Sequence, residues 1–341
     1  MPAEWEKHDA TWLAWPYDPT TFPDRVGKIE DVYVRIICSL LKGEDVNLVV
    51  KDESTQEKVL GKLKEERTEL GRLHIHIFDY ADVWFRDYGP IFVTNRLTGK
   101  LAMTKWRFNA WGGKYENLMK DDRIPYLINE ERGIECFETG WILEGGSIDV
   151  NGKGTLLTTE RCLLNPNRNS QLGKKAIEKL LAEYLGVQHV IWLRDGIKGD
   201  DTDGHVDDIA RFVNPTTVLC ASEDDKKDEN YVILKEDHDI LSKATDQDGN
   251  RLKVIGLPMP GLVGGEEGRL PASYANFYIG NKVVLVPVFG HPNDRVALET
   301  IGRQFPSREV VGIPCNDLVY GLGAIHCITQ QEPSPSPSSL P

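Results

Sequence analysis

Apolar residues recur at Ile29, Val32, Tyr33, Ile36, Ile37 and Leu40. This three-to-four spacing predicts a helix, with Asp24 as its cap and Gly43 as its stop. The unbroken apolar character of residues 46–50 predicts a short buried strand. Ser54, with Glu57 three residues on, has the form of a capping box and predicts a second helix to about Leu70. Residues 73–78 alternate as a strand, and residues 91–94 and 101–106 form a hairpin through Thr98-Gly99. Further along, strands are predicted at 155–159, 187–193, 253–257, 275–279, 283–288 and 309–313. Helices are predicted at about 170–184, ended by Gly186, and at 231–244 and 294–304. Residues 3–23 hold Trp5, Trp12, Trp15, Tyr17 and Phe22 among prolines. That stretch is too irregular for a helix and is expected to be a loop that packs on a core or edges a pocket.

Five helices among more numerous strands indicate an α/β protein. The pattern alone does not separate a repeat-built domain from a long doubly wound sheet. The 341 residues suffice for either. From Pro333 onward the chain turns into alternating proline and serine, which predicts a disordered tail over 333–341.

Charge narrows the functions. Forty basic residues against fifty-three acidic ones give a net charge of −13. Nucleic acid is a poor partner for that balance, and a cationic ligand a better one. No apolar run approaches the ~20 residues of a membrane span, and the N-terminus has no signal-like apolar region. The six cysteines are scattered without close pairs, which fits reduced thiols and a cytoplasmic location. The sequence leaves a homo-oligomer open.

Four segments carry unusual chemistry. The first is 82–90, Asp-Val-Trp-Phe-Arg-Asp-Tyr-Gly-Pro, where a Gly-Pro pair ends an element beside Asp87. The second is 141–150, where Glu144 follows three apolar residues and precedes two glycines. A carboxylate there is expected to be partly buried and to need a partner. The third is 199–212, in which five aspartates surround His205. Their spacing lacks the glycine and terminal glutamate of a calcium loop. If 205–212 is a strand, His205 and Asp207 project from one face. The fourth is 321–331, Gly-Leu-Gly-Ala-Ile-His-Cys-Ile-Thr-Gln-Gln, which places Cys327 after a glycine-bearing turn. On its own that cysteine fits a core position equally well. His74 and His76 share a strand face at a spacing that could hold zinc, though solvent-facing positions fit better.

In order and spacing, these segments resemble the agmatine deiminases and their bacterial peptidylarginine deiminase-like relatives, from Met1 to Gln331. The resemblance implies a pentein fold over residues 1–332: a five-bladed α/β propeller of ββαβ-type modules, with the site where the pseudo-fivefold axis emerges. It implies Cys327 as nucleophile and His205 as general acid and base. Asp87 and Asp207 would hold the guanidinium, and Glu144 would position the substrate or tune His205. Such a site needs no metal and no cofactor. A cationic substrate and a nearby imidazolium would each favour the thiolate. Trp84, Trp111 and Asp201 are candidates for the pocket beyond the guanidinium. Arg86 and Arg211 are the cations near these segments that could receive a substrate carboxylate.

The implied reaction is hydrolysis of agmatine to a ureido compound and ammonia. Gly-Leu-Gly-Ala-Ile-His-Cys is similar to the bacterial wording, whereas the plant type more often has Gly-Gly-Gly-Asn. The alternatives are a peptidylarginine deiminase, a non-catalytic propeller that binds a partner, and a zinc hydrolase using His74, His76 and His205.

Overall fold

One small sheet pattern recurs five times along the chain. A computed structural model describes residues 1–265 and 268–335. In each sheet an antiparallel pair is followed by a parallel partner. Ile91–Thr94, Leu101–Arg107 and Glu135–Ile142 form one such sheet. Asp149–Val150, Thr155–Thr159 and His189–Leu193 form the next. Ala210–Asn214, Thr217–Ser222 and Lys253–Pro258 follow. Then come Tyr278–Ile279, Val283–Val288 and Glu309–Pro314.

The remaining sheet joins both ends of the chain. Gln330–Pro333 runs antiparallel to His8–Ala14, which pairs in parallel with Asp45–Val50. Leu73–Ile77 adds a fourth strand. Parallel neighbours need a crossover, and a helix supplies each one. These helices are Val26–Leu40, Glu53–Glu65, Ile124–Arg132, Lys174–Leu185, Asn230–Lys243 and Asn293–Gly302. Five repeats of one topology make this an α/β fold of the pentein type rather than a doubly wound sheet.

Several local expectations change. The stretch read as a loop contains the strand His8–Ala14. Trp12, Leu13 and Ala14 are all fully buried, so no period of two shows in the sequence. Asp24 adopts a left-handed φ of 56°, and Arg25 precedes the first helix without a side-chain cap. The second helix is capped by Asp52, not Ser54; its Oδ1 accepts the Thr55 N–H at 2.7 Å. The helix Ile124–Arg132 was not predicted. It starts with a proline, which the first turn tolerates, and it follows a polar 3₁₀ segment that hides its period.

His205 does not begin a strand. Val206–Asp208 is a 3₁₀ turn and pairing starts at Ala210, because Gly204 sits at a φ of 97°. At the C-terminus, Pro333 is still in a ladder, and the Ser334 N–H donates to the Lys7 carbonyl at 2.8 Å. The predicted tail therefore starts too early; its residues 336–341 lie outside the described residues.

Candidate active site

Each sheet's first strand is entered through a short turn, and the reactive residues sit on those five turns. Asp87 lies just ahead of Ile91–Thr94, and Glu144 ahead of Asp149–Val150. His205 and Asp207 lie ahead of Ala210–Asn214, Asn276 ahead of Tyr278–Ile279, and Cys327 ahead of Gln330–Pro333. The repeated topology thus gathers residues far apart in sequence. All six of these side chains are buried.

Gly146 sits where three of them meet. A Cβ added there would be 2.6 Å from His205 Nδ1, 2.9 Å from Asp87 Oδ1 and 3.1 Å from Asp207 Oδ2. At Gly145 a Cβ would be 2.3 Å from the Arg86 carbonyl oxygen. The two glycines after Glu144 therefore permit close approach.

Asp87 Oδ1 accepts the Gly146 N–H at 3.1 Å, and its Oδ2 accepts Trp111 Nε1–H at 2.9 Å. Burial pushes the Asp87 carboxyl up to about 6; Asp207 and Glu144 add to the shift, and His205 opposes it. His205 Nδ1 stands 3.7 Å from Asp87 Oδ1. Burial works against charge on this imidazole. The Asp87 carboxylate, the adjacent Cys162 and Glu144 outweigh it and hold the pKa well above the ordinary value. Neither ring nitrogen has a hydrogen-bond partner. That raised pKa favours the protonated ring, with Cys162 beside it.

Cys327 is only 6 % exposed. Asn276 donates from Nδ2 to its Sγ at 3.2 Å, and the Asp207 Oδ2 is 3.8 Å from the sulfur. Asn276 Oδ1 also accepts the His326 N–H at 2.9 Å, which ties the turn bearing the thiol to the neighbouring module. Burial raises the Cys327 thiol well above its usual range, and the carboxylates of Asp207, Asp208 and Asp87 raise it further. The expected help from an imidazolium is outweighed here. A cation entering between these carboxylates would lower that pKa.

Behind the thiol, His326 Nδ1 contacts Asp207 Oδ2 at 2.7 Å and Nε2 contacts Glu4 Oε2 at 2.8 Å. Ionised carboxylates only accept, so each contact draws on a ring proton, while burial and the nearby Arg211 and Arg86 work against a second proton and lower the His326 pKa. Burial opposes the charge on Asp207, but the His326 hydrogen bond and the charges of His326, His205 and Arg211 together outweigh it and hold the carboxyl below the usual range.

Glu144 is fully buried; its Oε1 accepts Arg168 Nε–H at 2.6 Å, and its Oε2 has no partner. Arg168 also donates to Asp203 Oδ2 at 2.8 Å and to the Thr202 carbonyl at 2.9 Å. It thereby fastens the loop that carries His205 to Glu144. Asp200 closes the same loop by accepting the Thr202 and Gly204 N–H groups, each at 2.7 Å. These aspartates serve the loop rather than a calcium ion. Among the described residues, Glu144, Cys162 and His205 are the grouping whose ligand atoms lie within 4.8 Å of one another. Arg168 already brings a cation to Glu144, which disfavours a second. His74 pairs with Asp45 and His76 with Glu131, so neither joins His205.

A cavity of roughly 230 Å³ opens onto this cluster. Cys327 and Asp87 line it, together with Trp84, Trp111 and Asp201. His205, Asp207 and Glu144 lie behind that lining. Gly321 and Gly323 pack on Trp84; a Cβ at Gly323 would be 2.4 Å from its indole. Trp111 is aimed by a left-handed run, with φ of 51° at Ala110, 53° at Trp111, 91° at Gly112 and 80° at Gly113. For residues with a Cβ that conformation costs roughly 1–2 kcal/mol each, strain of the kind found at functional sites. The Trp111–Asp87 hydrogen bond is what the run achieves. Asp201 Oδ2 accepts from the Tyr115 hydroxyl at 2.6 Å at the outer wall. Arg86 and Arg211 are buried on Glu4, away from the cavity.

Sequence reasoning assigned no role to Asn276, Arg168, His326 or Glu4. Asn276 had a signal, since it occupies the same turn of the repeat as the other four.

Five like modules with an imidazole, a thiol and carboxylates at their junctions define a protein of the pentein class. The chain belongs to the Porphyromonas-type peptidyl-arginine deiminase family, whose model matches residues 1–333. It is 39% identical to a putative agmatine deiminase 1 of Listeria monocytogenes, covering 98% of this chain and 96% of that one. It is 37% identical to an agmatine deiminase of Stutzerimonas stutzeri, covering 98% and 95%. A solved agmatine deiminase of Enterococcus faecalis superposes with a TM-score of 0.91 at 36% identity, covering 98% and 96%.

Proposed function

We propose that this protein hydrolyses agmatine to N-carbamoylputrescine and ammonia. The observation that carries the substrate choice is the charge of the cavity wall. Among the described residues, Asp82, Asp87 and Asp201 line it, and no Lys, Arg or His does. A dication with a guanidinium at one end and an ammonium at the other suits such a wall. The α-carboxylate of arginine would lose its hydration beside like charges.

The chemistry follows from the inner end. Asp87 and Asp207 grip the planar guanidinium through charge-assisted hydrogen bonds. The bound cation offsets the carboxylates around Cys327, and the thiol gives up its proton to solvent through the cavity it lines, recovering one when the product leaves. Sγ attacks the guanidinium carbon, and His205 donates its proton to the departing amino nitrogen, so that the C–N bond breaks and ammonia leaves. His205, now neutral, takes a proton from water. The hydroxide adds to the amidino-thioether carbon, the C–S bond breaks, and the ureido product leaves. Glu144 stabilises the imidazolium. The six free cysteines suit a reducing compartment, and the cytoplasm is the proposed location. Among the described residues, no helix is long and apolar enough to cross a membrane.

Ammonia release from agmatine, arginine and benzoyl-arginine amide tests this reading. Agmatine is expected to have the highest kcat/KM, and Cys327→Ala to abolish turnover. Equal use of arginine would defeat the charge argument; turnover of the amide alone would favour peptidylarginine.

A further inference from the structure

Asp207 faces the thiol with one oxygen engaged and one bare. Its Oδ2 contacts His326 Nδ1, while its Oδ1 is buried without a partner. His326 is itself held on every polar atom. Its backbone N–H donates to Asn276 Oδ1, its carbonyl accepts Arg86 Nε–H at 3.2 Å, and its Nε2 contacts Glu4 Oε2. Glu4 is fixed in turn. Its Oε1 accepts the Ile279 N–H at 2.9 Å and pairs with Arg211 at 2.8 Å; Arg86 lies 3.4 Å from Oε2. A histidine that only filled space would leave a nitrogen free or solvated. Here both nitrogens are spent on carboxylates, and one of those carboxylates borders the nucleophile.

We infer that His326 and Glu4 are positioning residues that lock the rotamer of Asp207, so that its bare oxygen meets the substrate guanidinium. The residue before the nucleophile and a residue of the extreme N-terminal segment thereby belong to the active site. Without the clamp, Asp207 would sit beside Asp87 and Asp208 with both oxygens free and would turn away from like charge. The chain turn that delivers Cys327 also delivers the clamp, so sulfur and carboxylate keep a fixed relation. This inference rests on the proposed deiminase reading for its guanidinium, though the geometry it predicts does not.

Two isosteres separate positioning from packing. His326→Asn keeps an amide donor where Nδ1 stood, facing Asp207, and drops the Glu4 contact. His326→Gln keeps a donor where Nε2 stood, facing Glu4, and releases Asp207. Crystal structures of both variants are expected to show Asp207 in place with asparagine and turned with glutamine. In a Cys327→Ala background, calorimetric binding of agmatine is expected to be weaker for glutamine than for asparagine by about tenfold or more. Glu4→Gln, which leaves His326 intact, is expected to weaken binding less than His326→Gln does. An unmoved Asp207 in both His326 variants, or equal binding by both, would overturn the inference. If the native chain neither binds nor turns over agmatine, the deiminase reading fails, and the Asp207 rotamers still decide this one.

Discussion

The side-chain amide of Asn276 donates to the sulfur of Cys327 across 3.2 Å, from a turn fifty-one residues earlier in the chain. It reaches a thiol whose pKa burial and three carboxylates raise, and which a backbone hydrogen bond at Ala324 lowers in part. Its oxygen meanwhile fixes the backbone of His326. One side chain thus sets both the sulfur's position and its readiness to ionise.

Replacing it should show in the thiol's chemistry. Asn276→Ala removes a donor that favours thiolate, so the thiol pKa rises and the thiolate fraction at a given pH falls. Asn276→Asp adds a further negative charge and raises it more. The rate of Cys327 alkylation by iodoacetamide, followed against pH, is expected to fall about tenfold in the alanine variant and further in the aspartate variant. An unchanged pH profile would remove Asn276 from the role.

Gly146→Ala is expected to lower kcat/KM by about a hundredfold or more. The added methyl would stand 2.6 Å from His205 Nδ1 and 2.9 Å from Asp87 Oδ1, so both must move. Gly133→Ala is the control for a glycine far from the site, since a Cβ there meets nothing within 4 Å. Its cost should fall on stability alone, because Gly133 has a φ of 60°. Steady-state kinetics and melting curves of the two variants separate these effects.

The activity should have an acid limb near pH 6. Asp87 must be ionised to grip a guanidinium, and burial raises its pKa to about 6. As pH falls through that value, Asp87 is protonated and kcat/KM drops. The alkaline limb reports His205, whose pKa is raised well above the usual value; as it loses its proton, the acid for ammonia departure is lost. A kcat/KM profile flat between pH 5 and pH 7 would contradict this assignment.

Stability should move the other way across the same range. Burial raises Asp121, Asp149 and Asp237 to about 7, from a reference of 3.8. Between those values the folded chain binds more protons than the unfolded one, so stability falls as pH rises through the window. The melting temperature is expected to be higher at pH 5.5 than at pH 8. Asp203 has the opposite sign: burial opposes its charge, but hydrogen bonds to Asn167, Lys114 and Arg168 lower it to about 2. Its contribution is lost only as pH falls below about 4. Equal melting temperatures at pH 5.5 and pH 8 would mean that these carboxyls titrate normally.

The local pattern was enough for most strands and helices, because most parallel strands are short apolar runs and most crossover helices have one apolar stripe; it missed Ile124–Arg132 and the largely exposed strand Glu135–Ile142. It failed where burial on all sides erased the period, as at Trp12 and Leu13, and where a turn was set by contacts beyond the segment. The glycines after Glu144 and before Cys327 were legible as marks of unusual segments. What approaches them was not.

The sequence by itself singled out the proposed reactive groups: the resemblance of four segments to the agmatine deiminases points to Cys327, His205, Asp87, Asp207 and Glu144. It also determined the alternation of strands and helices, since both depend on neighbours a few residues away. Only the tertiary structure decided that Asn276 reaches the sulfur, that Arg168 ties Glu144 to the His205 loop, and that Glu4 lies behind His326. Each of those contacts joins different turns of the five-fold repeat, and Glu4 and His326 come from opposite ends of the chain. No periodicity spans such distances. Packing the modules side by side creates the contacts, and burial then drives most polar atoms among them to find a partner.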